Sequence, residues 1–194
     1  PMAWIQLAVI VLAGLAGLLL FRPDAVVPAS PLTVKISRRA GLGWLALFFL
    51  VLLGLPVWAA LNPALTLVDD FYRAGALVFG GGHVVLPLLQ AEVVAPGWVD
   101  RDLFLAGYAA AQAVPGPLFT FAAFLGAAMN GAPNGILGGM LCLLAVFAPS
   151  FLLVAGALPF WVRLRGNTGA QTALAGINAA VVGLLLAAFV NPVW

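Results

Sequence analysis

Charge is scarce in this chain, with eight basic and six acidic residues among 194, or 7%. A water-soluble surface needs several times that share, so an ordinary soluble domain is excluded. There is one histidine, His83, and one cysteine, Cys142, which leaves no ligand set for zinc and no partner for a disulfide. Cys142 lies in an apolar run and reads as a packing residue. The basic residues are scattered or stand at the ends of apolar runs, so a pI near 9.3 does not signal a nucleic-acid surface. No internal period of about 20 to 50 residues is present, which excludes a repeat array within the chain.

What the chain has instead is apolar length. Hydrophobic residues make up 64% of it, and the mean hydropathy is +1.16, values of a polytopic membrane protein. Apolar segments cover residues 3–21, 42–61, 71–89, 103–129, 136–162 and 172–190. Each is close to or above the roughly 20 residues a membrane helix needs, giving six candidate crossings. The first has no basic residue ahead of it and is too long for a signal-peptide core, so it reads as a retained helix. The opening Pro1-Met2 leads straight into that helix, as expected of a piece of a longer polypeptide.

The longest polar connection, residues 22–40, holds Pro23, Pro28 and Pro31 together with Arg22, Lys35, Arg38 and Arg39. It divides the chain into a helix at 1–21, a cytoplasmic linker at 22–41 and a membrane domain at 42–194. A second basic loop carries Arg163 and Arg165, and the positive-inside rule places both basic loops in the cytoplasm. Strict alternation of crossings then puts residues 62–70 and 131–135 outside, residues 92–102 inside and both chain ends outside.

Two of the six segments cannot be smooth helices. Gly80-Gly81-Gly82 interrupts the third, at a cost of about 1 kcal/mol per glycine relative to alanine. Pro115-Gly116-Pro117 interrupts the fourth apolar segment, residues 103–129, and removes two amide donors. The fold expected is therefore all-α: a polytopic membrane helical bundle of about six membrane segments, two of them discontinuous. Pro149 is expected to kink the 136–162 helix, and Gly135 with Gly139 has the spacing of close helix packing.

Paired broken helices are how membrane carriers build binding sites, because each restarted half-helix offers unsatisfied N–H groups and a partial positive dipole. Restarts at about His83 and Pro117 would cradle an anion without an expensive buried cation. The plainer meaning of Gly80, Gly81 and Gly82 is close approach of another helix. His83 has three readings: donor to the anion, proton relay, or cap of its half-helix. Arg73 precedes Gly80 by two turns on one face, as an entrance charge would; equally, it pairs with Asp69 four residues earlier, while Asp69 and Asp70 complement the helix dipole.

On the other broken segment, Arg101, Tyr108, Gln112 and Pro115 share a helical face, a polar track leading to the break, with Gln112 its best ligand candidate. Thr120 offers a hydroxyl one turn beyond Gly116, although such threonines often bond their own backbone. Glu92 and Asp102 read as proton carriers or as solvated loop charges.

The strings Phe79-Gly-Gly-Gly-His-Val-Val-Leu-Pro87, Pro96-Gly-Trp-Val99, Gly107-Tyr108 and Ala111-Gln-Ala-Val-Pro-Gly-Pro-Leu-Phe119 resemble the chromate ion transporter family. Long members of that family have two homologous membrane halves. Residues 42–191 look like the second, and residues 3–21 like the last helix of the first. The resemblance implies a multi-pass carrier of the bacterial cytoplasmic (inner) membrane that exports chromate, with sulfate as analogue or competitor, driven by an ion or proton gradient and conferring chromate resistance. It carries the family's glycine-rich and Pro-Gly-Pro motifs onto Gly80, Gly81, Gly82, His83, Pro115, Gly116 and Pro117. Expected partners are chromate or sulfate, membrane lipid, and the other homologous half or a second copy; no nucleic acid, cofactor, metal or catalytic residue is expected.

Two rival readings stand beside it. An intramembrane enzyme would need a nucleophile with its base, a carboxylate pair or a metal cluster within the spans, and the sequence offers none. A non-transporting structural half or assembly subunit would leave two costly helix breaks without a purpose.

Overall fold

The structure, a computed structural model, describes residues 2–21, 36–62, 65–77, 82–114 and 118–190. Among them the chain is entirely helical: α1 (Met2–Leu20), α2 (Arg38–Leu61), α3 (Thr66–Leu77), α4 (Gly82–Val93), α5 (Arg101–Ala113), a 3₁₀ turn (Leu118–Thr120), α6 (Phe121–Ala128), α7 (Gly135–Gly166) and α8 (Thr168–Val190). The expected helical membrane bundle is present. Within the described residues, 38–61, 135–161 and 168–187 are each long and apolar enough to cross a membrane.

Element boundaries follow local chemistry. Ser37 Oγ accepts from the Ala40 N–H at 3.2 Å and starts α2, so Arg38, Arg39 and Ala40 belong to that helix and not to the linker. Asp100 caps α5 by accepting from the Asp102 N–H at 3.2 Å. Asn167 Oδ1 accepts from the Ala170 N–H at 3.1 Å and opens α8. α7 begins at Gly135, whose φ of 58° suits glycine, and runs unbroken through the buried Pro149.

The chain forms two compact units. One contains residues 1–44 and 154–194. In it α1 lies antiparallel along α8, where Gly17 and Gly176 meet so closely that a methyl on Gly17 would strike the Thr172 carbonyl. Without a hydrophobic drive between helices in lipid, such backbone approach is what holds a helix pair. The start of α2 also meets the end of α7 here: a methyl on Gly41 would lie 3.0 Å from the Gly156 carbonyl oxygen. Arg38, Arg39, Arg163 and Arg165 consequently share one end of that unit.

The other unit, residues 45–153, is built around Phe71, Ala74, Leu89, Val93, Phe104, Phe121, Leu125 and Val146. Its four middle helices are short, at 12, 12, 13 and 8 residues for α3 to α6. At 1.5 Å per residue the longest reaches about 20 Å, against an apolar bilayer core of about 30 Å. None of them crosses a membrane alone.

The alternation of sides expected for these segments is overturned. The Asn130 N–H, just after α6, donates to the Trp98 carbonyl, just before α5, at 2.8 Å. Both ends of the α5–turn–α6 segment therefore lie together, and the segment doubles back. Leu67 at the start of α3 lines one cavity with Trp98, just past the end of α4, so the α3–α4 segment doubles back too. Residues 92–102 and 131–135 thus face the same end of this unit.

Candidate functional site

The two sequence breaks fall between the helices of two pairs, α3 with α4 and α5 with α6. α3 ends at Leu77 and α4 starts at Gly82; α5 ends at Ala113 and the 3₁₀ turn starts at Leu118. Gly80, Gly81, Pro115, Gly116 and Pro117 lie outside the described residues, as does the His83 side chain. Gly82 and His83 form the first turn of α4, the position where N–H groups are left without intrahelical acceptors.

Packing brings the segments beyond the two breaks together. α4 touches the 3₁₀ turn, and so does α5. The Phe119 ring on that turn lies 6.0 Å from the Phe147 ring of α7. Phe147 is twelve residues into a helix that starts at Gly135, or about 18 Å along its axis. The hairpin is held there by α6, whose Gly126 packs against Gly138 of α7, and by Gly107 of α5, which leaves room only for the Phe124 ring. It is Gly138 and Gly139, the latter against Ala123, that make the close α6–α7 approach, whereas Gly135 meets nothing.

The polar track on α5 divides. Phe104 and Gly107 face the core, and Tyr108 is half-buried with its ring edge-on to Phe121 at 6.0 Å. Arg101 and Gln112 are exposed, alongside Ala106, Ala109, Ala110 and Ala113. Thr120 is exposed on the turn. Residues on the hairpins thus reach two surfaces: the packed interior of the unit, and an open face of small residues around Gln112.

A third group gathers at the open end of the first hairpin. Arg73 pairs with Asp69 at 3.7 Å, the i, i+4 arrangement expected from the sequence. Asp69 is buried and lies in the first turn of α3. Glu92 is not on a loop: it belongs to α4, is half-buried, and acts on Asp70. Burial, with Glu92 and Asp69 adding to it and Arg73 opposing, pushes the Asp70 carboxyl up to about 7. Burial likewise raises Asp69, against the pull of Arg73. The sequence signal for this group was weak, because residues 22 positions apart meet only when the hairpin closes.

Comparison with known proteins now decides the family. The profile of the family described as "Chromate transporter" matches residues 65–194, a span that begins at the first hairpin and takes in both breaks. The chain belongs to the chromate transporter family. It is similar to a "Probable chromate transport protein" of Synechococcus elongatus, 31% identical over 142 residues, which are 70% of this chain and 35% of that protein. It is similar to the "Chromate transport protein" of Pseudomonas aeruginosa, 34% identical over 116 residues, 58% of this chain and 26% of that protein. The "Uncharacterized transporter YwrB" of Bacillus subtilis is 34% identical over 127 residues, 64% of this chain and 62% of that protein. The chain therefore spans about a third or less of the first two relatives. No solved structure matches it. As a member of the chromate transporter family with membrane-length apolar helices, the chain is a multi-pass membrane protein of a transporter family.

Proposed function

We propose that this chain is one half of a secondary carrier for an oxyanion, chromate first and sulfate as analogue or competitor, in the bacterial cytoplasmic membrane. The observation that carries this reading is the contact between α4 and the 3₁₀ turn. It sets the two segments that follow the glycine and Pro-Gly-Pro breaks against one another. In this reading Gly80, Gly81, Gly82 and His83 and then Pro115, Gly116 and Pro117 supply amide N–H groups to the anion. A tetrahedral dianion takes several directed donors and still leaves, because no full buried charge holds it.

The opposite wall comes from a homologous half or a second copy. Support for this is the exposed face of α5, where Ala106, Ala109, Ala110 and Ala113 surround Gln112. Small residues let another helix come close, and Gln112 then lines the joint space instead of facing lipid. Residues 1–21 serve as the last helix of the preceding half and the residues between it and α2 as its cytoplasmic linker. The glycine seam between α1 and α8 keeps that helix attached to this half. Transport is outward, gradient-driven and without chemical change of the anion, so the protein is not an enzyme.

The deciding experiment is chromate and sulfate flux in proteoliposomes, with and without a pH gradient, using this chain alone and together with a homologous half. Flux that requires both halves supports the reading. No flux in either preparation, with correctly inserted protein, favours the structural or assembly role.

A further inference from the structure

We propose that Asp69, Asp70 and Glu92 hold one exchangeable proton at the open end of the α3–α4 hairpin, with Arg73 as the charge that stabilises the site when the proton leaves. The proposal gives the carrier its coupling site, and in that purpose alone it rests on the transport reading.

Four observations support the site. Asp69 is only 5% exposed, and its Oδ1 is buried without a hydrogen-bond partner. A carboxylate with a bare buried oxygen is costly, and a neutral carboxyl far less so. Its other oxygen faces Arg73 at 3.7 Å, a cation that is itself 41% exposed and therefore only partly effective. Finally, the field is lopsided. Glu92 of α4 and Asp69 of α3 both act on Asp70, with Arg73 the cation that opposes them. The stretches of α2 and α7 in this unit, residues 45–61 and 135–153, contain no charged residue, and Asp100 on the following turn is exposed. Three carboxylates against one guanidinium, half out of water, favour taking up one proton.

The bound species is a proton and not a metal ion. The three carboxyl groups do not come together in a group that could hold a metal ion; they are linked through their field, and the proton sits on Asp69 or Asp70. Binding the proton neutralises Asp69 or Asp70 and frees Arg73. Losing it restores the pair.

The test is infrared difference spectroscopy of the whole chain in lipid vesicles as pH is stepped from about 5 to about 9. A carboxylic-acid carbonyl band titrating near neutral pH is expected. Asp70→Asn removes it, Glu92→Gln moves its midpoint at least several-fold in proton concentration toward acid, and Asp102→Asn, at an exposed site, leaves it in place. A spectrum with no acid band above about pH 5 overturns the site, and so does a band indifferent to Asp69→Asn, Asp70→Asn and Glu92→Gln alike. A band abolished by added calcium also overturns it, in favour of a cation site. In chromate-loaded vesicles, Asp70→Asn should keep flux down a chromate gradient and lose acceleration by a pH gradient; retained acceleration refutes the coupling. If no chromate moves at all, the carrier reading fails while the infrared titration still judges the proton site.

Discussion

Gly126 and Gly138 face each other backbone to backbone: a methyl group on either would collide with the carbonyl oxygen of the other. This contact seats α6, the helix that follows the Pro-Gly-Pro break, on the long α7. Alanine at either position is expected to lower stability by about 1–3 kcal/mol, the usual cost of overpacking. Thermal unfolding in detergent measures it, and Gly183→Ala, at a position with open space around it, should change little.

The Tyr72 hydroxyl donates to the Phe48 carbonyl at 3.2 Å and ties the first hairpin to α2 in a buried cluster with Leu55. Tyr72→Phe keeps the ring and should cost about 1 kcal/mol. A loss much larger than that would point to a polar role for the hydroxyl beyond this bond.

Stability should also depend on pH through Asp70. Its carboxyl is raised from 3.8 to about 7 in the folded protein, so the folded state favours the protonated form more than the unfolded chain does. That contribution is full at acid pH, declines as pH rises between those two values and is level above the upper one. Unfolding at about pH 5 and about pH 8 should therefore differ in the direction of greater stability at acid pH, and Asp70→Asn should shrink the difference.

Gly81→Leu is expected to abolish chromate flux in protein that still inserts, since a side chain there fills the proposed anion space and favours continuous helix. Vesicle efflux measures it; normal efflux would move the anion site elsewhere.

Arg73→Gln removes a partly exposed ion pair and should change stability by less than about 1 kcal/mol. If Arg73 is an entrance charge, flux falls mainly at low ionic strength. A loss independent of salt identifies a direct or coupling role instead, consistent with its place beside Asp69.

The helix breaks were legible because they are local. Three glycines, or two prolines around a glycine, disfavour helix whatever surrounds them, and α3 and α5 stop just short of these strings. The Arg73–Asp69 pair was legible for the same reason, being fixed by helical spacing. What a chain does after a break is not local. Whether 103–129 continues across or turns back depends on Asn130 finding Trp98 and on Phe119 finding Phe147, contacts between residues far apart in sequence. Glu92 was read as a loop or carrier charge because nothing near it in the chain shows that α4 ends beside Asp70.

By itself, then, the sequence determined an apolar helical membrane protein, the positions of its two interruptions and its family motifs. All of these follow from composition and from the intrinsic conformational costs of glycine and proline. Only the tertiary structure decided that both interrupted segments double back, that α4 meets the turn after the second break, and that Asp69, Asp70 and Glu92 share one end. The reason is that short helices with unfilled faces take their direction from what they pack against. Here that is the α7 surface at Gly138, Val146 and Phe147, where small residues and aromatic rings leave space of the right shape.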